Sequence, residues 1–467
     1  MQLGNPRWGM DNWVYLNYGP GEISRGAGFQ PASQANPARQ VGNLPHVKMP
    51  RLDFRFHPLT MQFGPDSGLG QYGNTIDRWG HRFFSWNRNP IMMSMLPYQA
   101  VKRNPFLIIP KAYTDVAPSG GDAIVYPLVE MKSNWLDHAG THTSACGVTA
   151  CLSDLFGGDY ADSVFACEPV GHLVTRSIIK RNGVGLTAVR ARPKADFLAS
   201  TDTWFRPASL TSGPDGALYL ADMYRLFVEA PRFFPEETVK KLNWRAGDDH
   251  GRIWRIVPDG AAPRRFTPPE TTDDLVTQLS DRNGWRRFLA QRLLVESQDK
   301  DAGPRLRELL IESESALTRL HALWTLDGLD ALAVEHIVPC LDDTHTFVRR
   351  DAVKLAAQRL DEHPELVDRL VSMSNDDDVL IRYHVVLVLG ETDEPQVTRM
   401  LTRLAVRDGA DQWFALAILT SAKERSAAIL SGLVNERHSQ RLLQSTHINP
   451  HFPFDSGRFG MKFAPSP

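Results

Sequence analysis

Two hydrophobic patterns follow one another along the chain, and the first consists of short apolar runs separated by turn residues. Within residues 204–225, the turn Gly-Pro-Asp-Gly at 213–216 precedes the extended pattern Ala-Leu-Tyr-Leu-Ala-Asp at 217–222. Pro presets φ, Asp tolerates the left-handed region and Gly supplies a positive φ, so a strand, a turn and a strand are predicted. Residues 8–18 repeat the unit with a Gly-x-Asp core. Such recurrence is typical of the blades of a β-propeller.

The second pattern is helical and repeats with a period near 30 residues. Paired apolar helical segments occupy residues 273–294, 304–326, 334–360, 365–389 and 396–419. An arginine recurs after a polar turn at Arg286, Arg319, Arg349 and Arg382. A polar turn that caps a helix, followed by a row of arginines in register, predicts a HEAT-like α-solenoid. The alternative is an ordinary helical bundle in which the spacing is accidental.

Composition divides the chain at the same place. Of the 34 glycines, 26 precede residue 261, as do 8 of the 11 tryptophans and 9 of the 10 tyrosines, which suits a turn-rich β domain. A Pro/Gly-rich stretch at 258–269 marks the change to helical spacing. We therefore expect a multidomain chain, β then α. The predicted parts are a partial β-propeller over 1–260, a linker over 261–271, HEAT-like helical repeats over 272–445 and an irregular tail over 446–467.

Charge and targeting signals exclude several classes of function. Lysine and arginine number 52 against 54 aspartates and glutamates, and no basic tract occurs, so no nucleic-acid partner is expected. No apolar run is long enough to predict a transmembrane segment. The first residues lack the features of a secretory signal peptide, so the chain as given is expected in the cytoplasm. Four cysteines do not make a disulfide framework, and the chain has no Cys-x-x-Cys-His motif for haem c.

Five blocks within the first 260 residues form a recognisable series. They lie at residues 73–91, 143–147, 164–171, 200–207 and 251–256. In this order they resemble the motifs of a family of membrane-bound dehydrogenases from planctomycete-type bacteria. The resemblance implies a six-bladed propeller similar to that of soluble quinoprotein sugar dehydrogenases, which bind pyrroloquinoline quinone and calcium. It also implies HEAT repeats, often a C-terminal cytochrome c domain, and a periplasmic or extracytoplasmic location for full-length members.

The chain departs from that family pattern at both ends. It opens inside a blade and carries motifs for about four blades, whereas the resemblance implies six. Residues 448–467 have neither a helical period nor a haem motif. Because an open propeller exposes strand edges, we interpret the chain as a fragment of a longer protein. The alternative is a diverged member that takes its missing blades from a partner.

The resemblance suggests a cofactor contact at Arg88 and Asn89. Residues 88–90 match an Arg-Asn-Pro element that the quinoprotein relatives place against the quinone, and the forked guanidinium of arginine suits its carboxylates. The alternative is that Arg88 pairs with an acidic side chain across a blade edge. The relatives' general-base histidine would precede Gly9, where this sequence has no histidine.

Candidate catalytic residues are His142, Asp202 and Arg206. His138 and His142 form an i, i+4 pair that could ligate a metal on a helix, but this segment predicts a loop, which favours a structural histidine. Asp202 and Arg206 lie in a loop that the family motifs place at the centre of the propeller. The alternative for these two is an Asp–Arg pair that fixes the loop.

Other polar residues have more local interpretations. Glu168, near a strand end, is a candidate oxygen ligand for calcium. Asp222 and Arg225 follow a strand and are expected to be structural. Cys146 and Cys167 are predicted on neighbouring strands, either close enough for a disulfide or as two buried thiols.

Two classes of function follow from these observations. The first is oxidation of a carbohydrate or alcohol hydroxyl with electron transfer to a cytochrome, an activity that the chain by itself is expected to lack because its general base is missing. The second is a non-catalytic scaffold that binds a protein or a polysaccharide on its propeller face and its helical repeats.

Overall fold

The chain folds into a β region followed by an α region. The computed structural model describes residues 3–18, 22–24, 46–48, 52–131, 138–228, 231, 235–262, 264–390 and 392–445. The last described strand ends at Ile256, and the first helix of the α region begins at Thr272. The β-then-α layout predicted from composition is therefore confirmed, whereas the predicted tail over 446–467 lies outside the described residues.

The described strands are short and antiparallel. In chain order they are β1 (Leu3–Trp8), β2 (Val14–Tyr18), β3 (Glu22–Ser24), β4 (His46–Lys48), β5 (Asp53–Phe56), β6 (Phe63–Asp66), β7 (Asn74–Ile76), β8 (Arg82–Trp86), β9 (Asn89–Ser94), β10 (Tyr113–Asp115), β11 (Cys146–Ala150), β12 (Ser163–Glu168), β13 (Leu173–Asn182), β14 (Gly185–Arg190), β15 (Leu198–Ala199), β16 (Pro207–Ser212), β17 (Leu218–Asp222) and β18 (Arg252–Ile256).

Four of the sheets lie side by side. Their strand orders are β1-β2-β5-β6, β7-β8-β9-β10, β11-β12-β13-β14 and β16-β17-β18, with β15 paired to β13 and a separate β3-β4 hairpin. The first strand of each sheet contacts the first strand of the next, β1 with β7, β7 with β11 and β11 with β16. The chain therefore runs outward from a shared inner edge in every sheet. The described strands form no closed barrel.

The strand-turn-strand unit that recurs in the sequence also recurs in the structure, with the same side-chain contact in both copies. In the first sheet the Tyr15 hydroxyl donates to Asp11 at 2.6 Å, and in the fourth sheet the Tyr219 hydroxyl donates to Asp215 at 3.0 Å. Gly216 adopts a φ of +84° in the second of these turns, where a side chain would be strained. In both hairpins an aspartate thus holds its turn against the tyrosine four residues later.

The helices begin inside the β region and then fill the rest of the described chain. They are α1 (Tyr98–Arg103), α2 (Glu236–Val239), α3 (Thr272–Gln278), α4 (Gly284–Ser297), α5 (Gly303–Glu312), α6 (Ala316–Gly328), α7 (Val334–Cys340), α8 (Thr346–Ala357), α9 (Leu366–Ser372), α10 (Val379–Leu389), α11 (Pro395–Asp408), α12 (Gln412–Thr420) and α13 (Ser426–Ser445).

The arginine register forms a ladder along the helical repeats. Each arginine donates to the backbone carbonyl six residues earlier and to the carboxylate of an aspartate in the next turn of the series. The pairs are Arg319–Asp343, Arg349–Asp376 and Arg382–Asp408. In the first repeat this position belongs to Arg287, whose Nη1 donates to the Asp281 carbonyl at 2.7 Å. Arg286 instead donates to the Pro214 carbonyl, which corrects the predicted register by one residue.

The helical repeats pack on the first hairpin turns of the first and fourth sheets and on the residue that follows β9 in the second sheet. Gln291 of α4 donates to the Met10 carbonyl at 2.8 Å, and Tyr383 of α10 donates to the Met95 carbonyl at 2.7 Å. Asn283 reaches the turn of the fourth sheet at the Gly213 carbonyl. The largest apolar cluster contains residues of both regions. Because the regions share one core and buried hydrogen bonds, they form a single packed unit.

Candidate functional site

A cleft of about 770 Å³ lies between the sheets and the helical repeats. Asp11 and Tyr15 of the first hairpin and Arg55 of β5 line it on the sheet side, and Lys354 of α8 and His384 of α10 line it on the helical side. We call this space the interdomain cleft. It is the candidate site because charged and titratable groups from both regions meet there.

The sheet wall of the cleft centres on a carboxylate and a phenol. The Tyr15 hydroxyl donates to Asp11 Oδ2 at 2.6 Å, and the Arg55 guanidinium lies 4.4 Å from the centre of the Trp13 ring. Burial raises the pKa of the Asp11 carboxyl, and burial together with the charge of Asp11 raises the pKa of Tyr15 well above its usual value. The Tyr15 phenol therefore keeps its proton and donates it in the hydrogen bond to the Asp11 carboxylate.

The helical wall is organised around Asp351. Its carboxylate accepts hydrogen bonds from Arg350 at 2.8 and 3.0 Å and from Trp324 Nε1 at 3.0 Å, and it pairs with Lys354 Nζ at 2.9 Å. The Lys354 side chain is 36 % exposed, and Asp351 occupies one of its three N–H donors. Burial lowers the pKa of this amine, although Asp351 opposes the shift. Lys354 therefore brings unused donors into the cleft.

Arg350 locks the two walls together. Its Nη1 bonds to His81 Nε2 at 3.0 Å and its Nη2 donates to the Trp79 carbonyl at 2.5 Å, both in the first turn of the second sheet. His81 Nδ1 lies 2.8 Å from Asp77 Oδ2. Because the guanidinium can only donate, we assign the histidine proton to Nδ1, which donates to Asp77. The chain of hydrogen bonds that runs from Asp77 through His81 and Arg350 to Asp351 therefore connects the two walls of the cleft.

His384 is a polar group in the cleft without a hydrogen-bond partner among the described residues. Its ring is half-buried and meets the Tyr383 ring edge-on at 5.7 Å. Burial, followed by the charges of Lys354 and Arg350, lowers its pKa well below the usual value. A neutral imidazole thus faces the cleft with one donor and one acceptor available.

The residues that sequence analysis favoured lie elsewhere, at the opposite ends of the inner strands. Glu168 is completely buried and accepts six hydrogen bonds of 2.9 to 3.2 Å from His142, Thr143, Ser144 and Val170. Burial alone would raise its pKa, but these donors, led by His142, hold the pKa below the usual value. Since protein donors occupy its lone pairs, this carboxylate fits the role of a loop anchor better than that of a calcium ligand.

His142 and His138 do not share a helix face. The Thr141 amide donates to the His138 carbonyl in a tight turn, and the His142 ring bonds to Glu168. The His142 ring is buried and bonded to Glu168, and its structural role stays a prediction.

Asp202 and Arg206 both form hydrogen bonds with backbone groups. Asp202 Oδ1 accepts from the Trp204 amide at 2.9 Å. Arg206 is buried and donates to three backbone carbonyls at 2.5 to 3.0 Å, those of residues 169, 225 and 226. Asp222 accepts from the Arg206 amide at 2.8 Å, as expected for a structural carboxylate. The predicted alternative was an ion pair between Asp202 and Arg206 that fixes the loop. Instead, Arg206 fixes the loop through backbone carbonyls, and Asp202 bonds to the Trp204 amide.

The two candidate cofactor contacts, Arg88 and Asn89, differ in their hydrogen bonding to the described residues. Asn89 donates to Asp115 at 2.8 Å. The guanidinium of Arg88 makes no hydrogen bond to any described residue, and its Nε is buried. Arg88 could hold one carboxylate of a quinone. Among the described residues, no three His, Cys, Asp or Glu side chains gather as a metal site.

The two cysteines of the third sheet lie on neighbouring strands, as predicted. Cys146 and Cys167 face each other across β11 and β12, and both thiols are free. Burial raises the pKa of both thiols, so neither is a reactive thiolate.

Sequence reasoning missed the interdomain cleft. Asp11 belongs to the recurrent Gly-x-Asp unit and was visible as a turn residue, but its partner across the cleft, Lys354, lies more than 300 positions later. No local signal distinguishes Lys354 from an ordinary surface lysine of a helix.

Comparisons with known proteins place both halves of the chain. The profile of the HEAT repeats matches residues 334–423, which supports the helical-repeat prediction. No curated protein matches the chain. Among the described residues, no helix combines the length and the apolar composition needed to cross a membrane. The profile of a domain of unknown function, DUF7133, matches residues 1–260, more than half of the 467 residues, and the chain therefore belongs to the DUF7133 family.

Proposed function

We propose that this chain is a binding module whose interdomain cleft holds the anionic oxygens of a ligand, such as a carboxylate or a phosphate. The observation that carries the proposal is the convergence of three donors, Arg55, Lys354 and His384, on one cleft between two regions that form a single packed unit. Arg55 on the sheet wall and Lys354 on the helical wall both favour the charged form of the Asp11 carboxyl, so both cations lie near Asp11 in the cleft.

The chemistry of these donors suits an anion. Lys354 has N–H donors that Asp351 does not use, and the His384 imidazole makes no hydrogen bond among the described residues. Hydrogen bonds between charged partners are short and about twice as strong as neutral ones. A ligand oxygen between Lys354 and Arg55 would also return part of the solvation that the Lys354 ammonium loses in the cleft.

The architecture also offers a second binding surface, on the helical repeats, for a protein partner. We interpret the four side-by-side sheets as about four blades of a partial β-propeller, because each starts at a shared inner edge. HEAT-like repeats are stacked helix pairs with an extended surface, and the chain would present such a surface to a protein partner while the cleft takes the anionic group.

The binding proposal is tested by calorimetry with the full chain and four probes: inorganic phosphate, citrate, glucuronate and glucose. We expect heat of binding with at least one anion and none with neutral glucose. Phosphate and the two carboxylates separate the two sources of anionic oxygen. Lys354→Met should weaken anion binding by about tenfold or more, because hydrogen bonds to charged groups contribute about 1.5–3 kcal/mol. Lys423→Met, which removes an exposed lysine of the helical region, is the matched control. Equal binding by the wild type and Lys354→Met would contradict the proposal.

A second candidate function is the oxidation of a carbohydrate or alcohol hydroxyl, as the dehydrogenase resemblance implies, together with the extracytoplasmic location of full-length members of that family. The observation in its favour is the unpartnered guanidinium of Arg88. Dye reduction with pyrroloquinoline quinone, calcium and a panel of sugars tests this. Turnover above background that is lost in Arg88→Ala would show that the chain is an enzyme.

A further inference from the structure

The fourth sheet is one strand short of its neighbours. The first three sheets each have at least four strands, whereas β16, β17 and β18 make up the fourth. Strand β18 pairs with β17 on one side, and no other described strand pairs with it. In the other sheets the position beyond the third strand is filled by β6, β10 or β14. The outer edge of β18 therefore presents unpaired backbone donors and acceptors.

The side chains on this edge are apolar and cationic. Ile253 is 77 % exposed and Trp254 is 45 % exposed, although both lie in a regular strand. Arg252 lies 3.4 Å from the centre of the Tyr224 ring and forms no ion pair with a described residue. Arg255 pairs with Asp215 at 2.8 Å and stays partly exposed. An exposed isoleucine and tryptophan between two arginines are unusual for an edge strand that only has to stay soluble.

We propose that β18 is a strand-addition site for an extended segment of another protein that carries acidic residues around an apolar centre. Backbone hydrogen bonds to the free edge of β18 would supply affinity, as in other cases of β-strand addition. Directly opposed residues on neighbouring strands contact each other. An acidic residue would therefore lie opposite Arg252 and another opposite Arg255, with β-branched residues opposite Ile253 and Trp254.

A second copy of this chain fits the edge less well. The antiparallel register that places Ile253 of one copy opposite Trp254 of the other would also set Arg252 opposite Arg255. Like charges directly opposite each other destabilise a sheet. Charge complementarity thus favours an acidic partner over self-pairing.

The probe is the octapeptide Thr-Thr-Glu-Val-Val-Glu-Thr-Thr, whose symmetric centre suits either strand direction. Its binding to the full chain is measured by fluorescence anisotropy of a labelled peptide. Two control peptides carry lysine in place of glutamate, or N-methyl groups on every second backbone amide. We expect the acidic peptide to bind about tenfold more tightly than the lysine peptide, and the N-methylated peptide to lose binding, because it cannot form the ladder. No binding of the acidic peptide, or equal binding of all three, would overturn the proposal.

Variants of the chain make the test specific to β18. Arg252→Glu should abolish the preference for the acidic peptide over the lysine peptide, because each peptide would then meet one like and one opposite charge, whereas Arg399→Glu, at an exposed arginine of α11, should leave the preference unchanged. Hydrogen exchange should show new protection of amides within residues 252–256 when the acidic peptide is present. Protection elsewhere, or a dimer in sedimentation that Arg252→Glu changes, would overturn the proposal. Anion binding in the interdomain cleft should be the same in Arg252→Glu, so the two proposals can fail separately.

Discussion

The two polar regions of this molecule differ in how fully their hydrogen bonds are satisfied. At the loop ends of the inner strands, Glu168 accepts six hydrogen bonds and Arg206 donates to three carbonyls. In the interdomain cleft, His384 has no hydrogen-bond partner among the described residues, and Lys354 is bonded through one donor only. A saturated polar group maintains the fold, whereas a group with free donors beside an open space is available to a ligand. The comparison therefore moves the candidate site from the predicted loops to the cleft.

The largest effect should come from the saturated region. Glu168→Ala would leave His142 and the Ser144 and Thr143 donors without their acceptor, so the free energy of unfolding should fall by about 3 to 5 kcal/mol. Urea denaturation measures this change. Glu237→Ala, at an exposed glutamate, should change stability by less than about 0.5 kcal/mol. A loss of less than about 1 kcal/mol at Glu168 would reopen its role as a ligand.

The next effect tests whether the cleft walls depend on one arginine. Arg350→Met removes the bonds to His81 and the Trp79 carbonyl and leaves Asp351 with fewer donors. We expect a loss of about 3 kcal/mol in the free energy of unfolding, because a buried ion pair is broken. Hydrogen exchange at residues 77–81 should also increase. Arg399→Met is the exposed control, and equal stability of both variants would show that Arg350 does not join the walls.

A pH dependence should come mainly from histidines of the helical region. Burial lowers the pKa of His321 and of His384 well below the usual value, which is about 6.5 in an unfolded chain. As the pH falls below this value, the unfolded chain takes up protons that the folded chain does not. Stability should therefore be lost toward acid pH by up to about 1.4 kcal/mol per pH unit for each histidine. Urea denaturation at several pH values should show a smaller slope in His321→Gln, and an unchanged slope would contradict this assignment.

The smallest effect on stability is expected at the proposed ligand-binding residue. Lys354→Met removes an ion pair of a partly exposed side chain, while Arg350 and Trp324 still hold Asp351. The free energy of unfolding should change by less than about 1 kcal/mol, although anion binding is lost. Denaturation and calorimetry on the same variant separate the two effects. A loss as large as that of Arg350→Met would assign Lys354 to the structural network instead.

Local patterns in the sequence predicted what depends on near neighbours. The Gly-x-Asp units at Asp11 and Asp215 formed matching hairpins, because each aspartate bonds within its own turn. Arg319, Arg349 and Arg382 formed the predicted row, since each bonds the carbonyl six residues earlier. Cys146 and Cys167 face each other because β11 and β12 follow one another along the chain and pair antiparallel.

The tertiary structure decided which polar groups are satisfied and which are free. Arg287 took the place of Arg286 in the ladder because the turn of the fourth sheet occupies Arg286. Glu168 became a loop anchor because His142 and its neighbours converge on it from a separate loop. The cleft brings together Asp11 of the β region and Lys354 of the α region, which lie more than 300 positions apart in the sequence. Composition and periodicity predict contacts between residues that are near in sequence. Whether a buried polar group finds all of its hydrogen-bond partners depends on which distant segments pack against it.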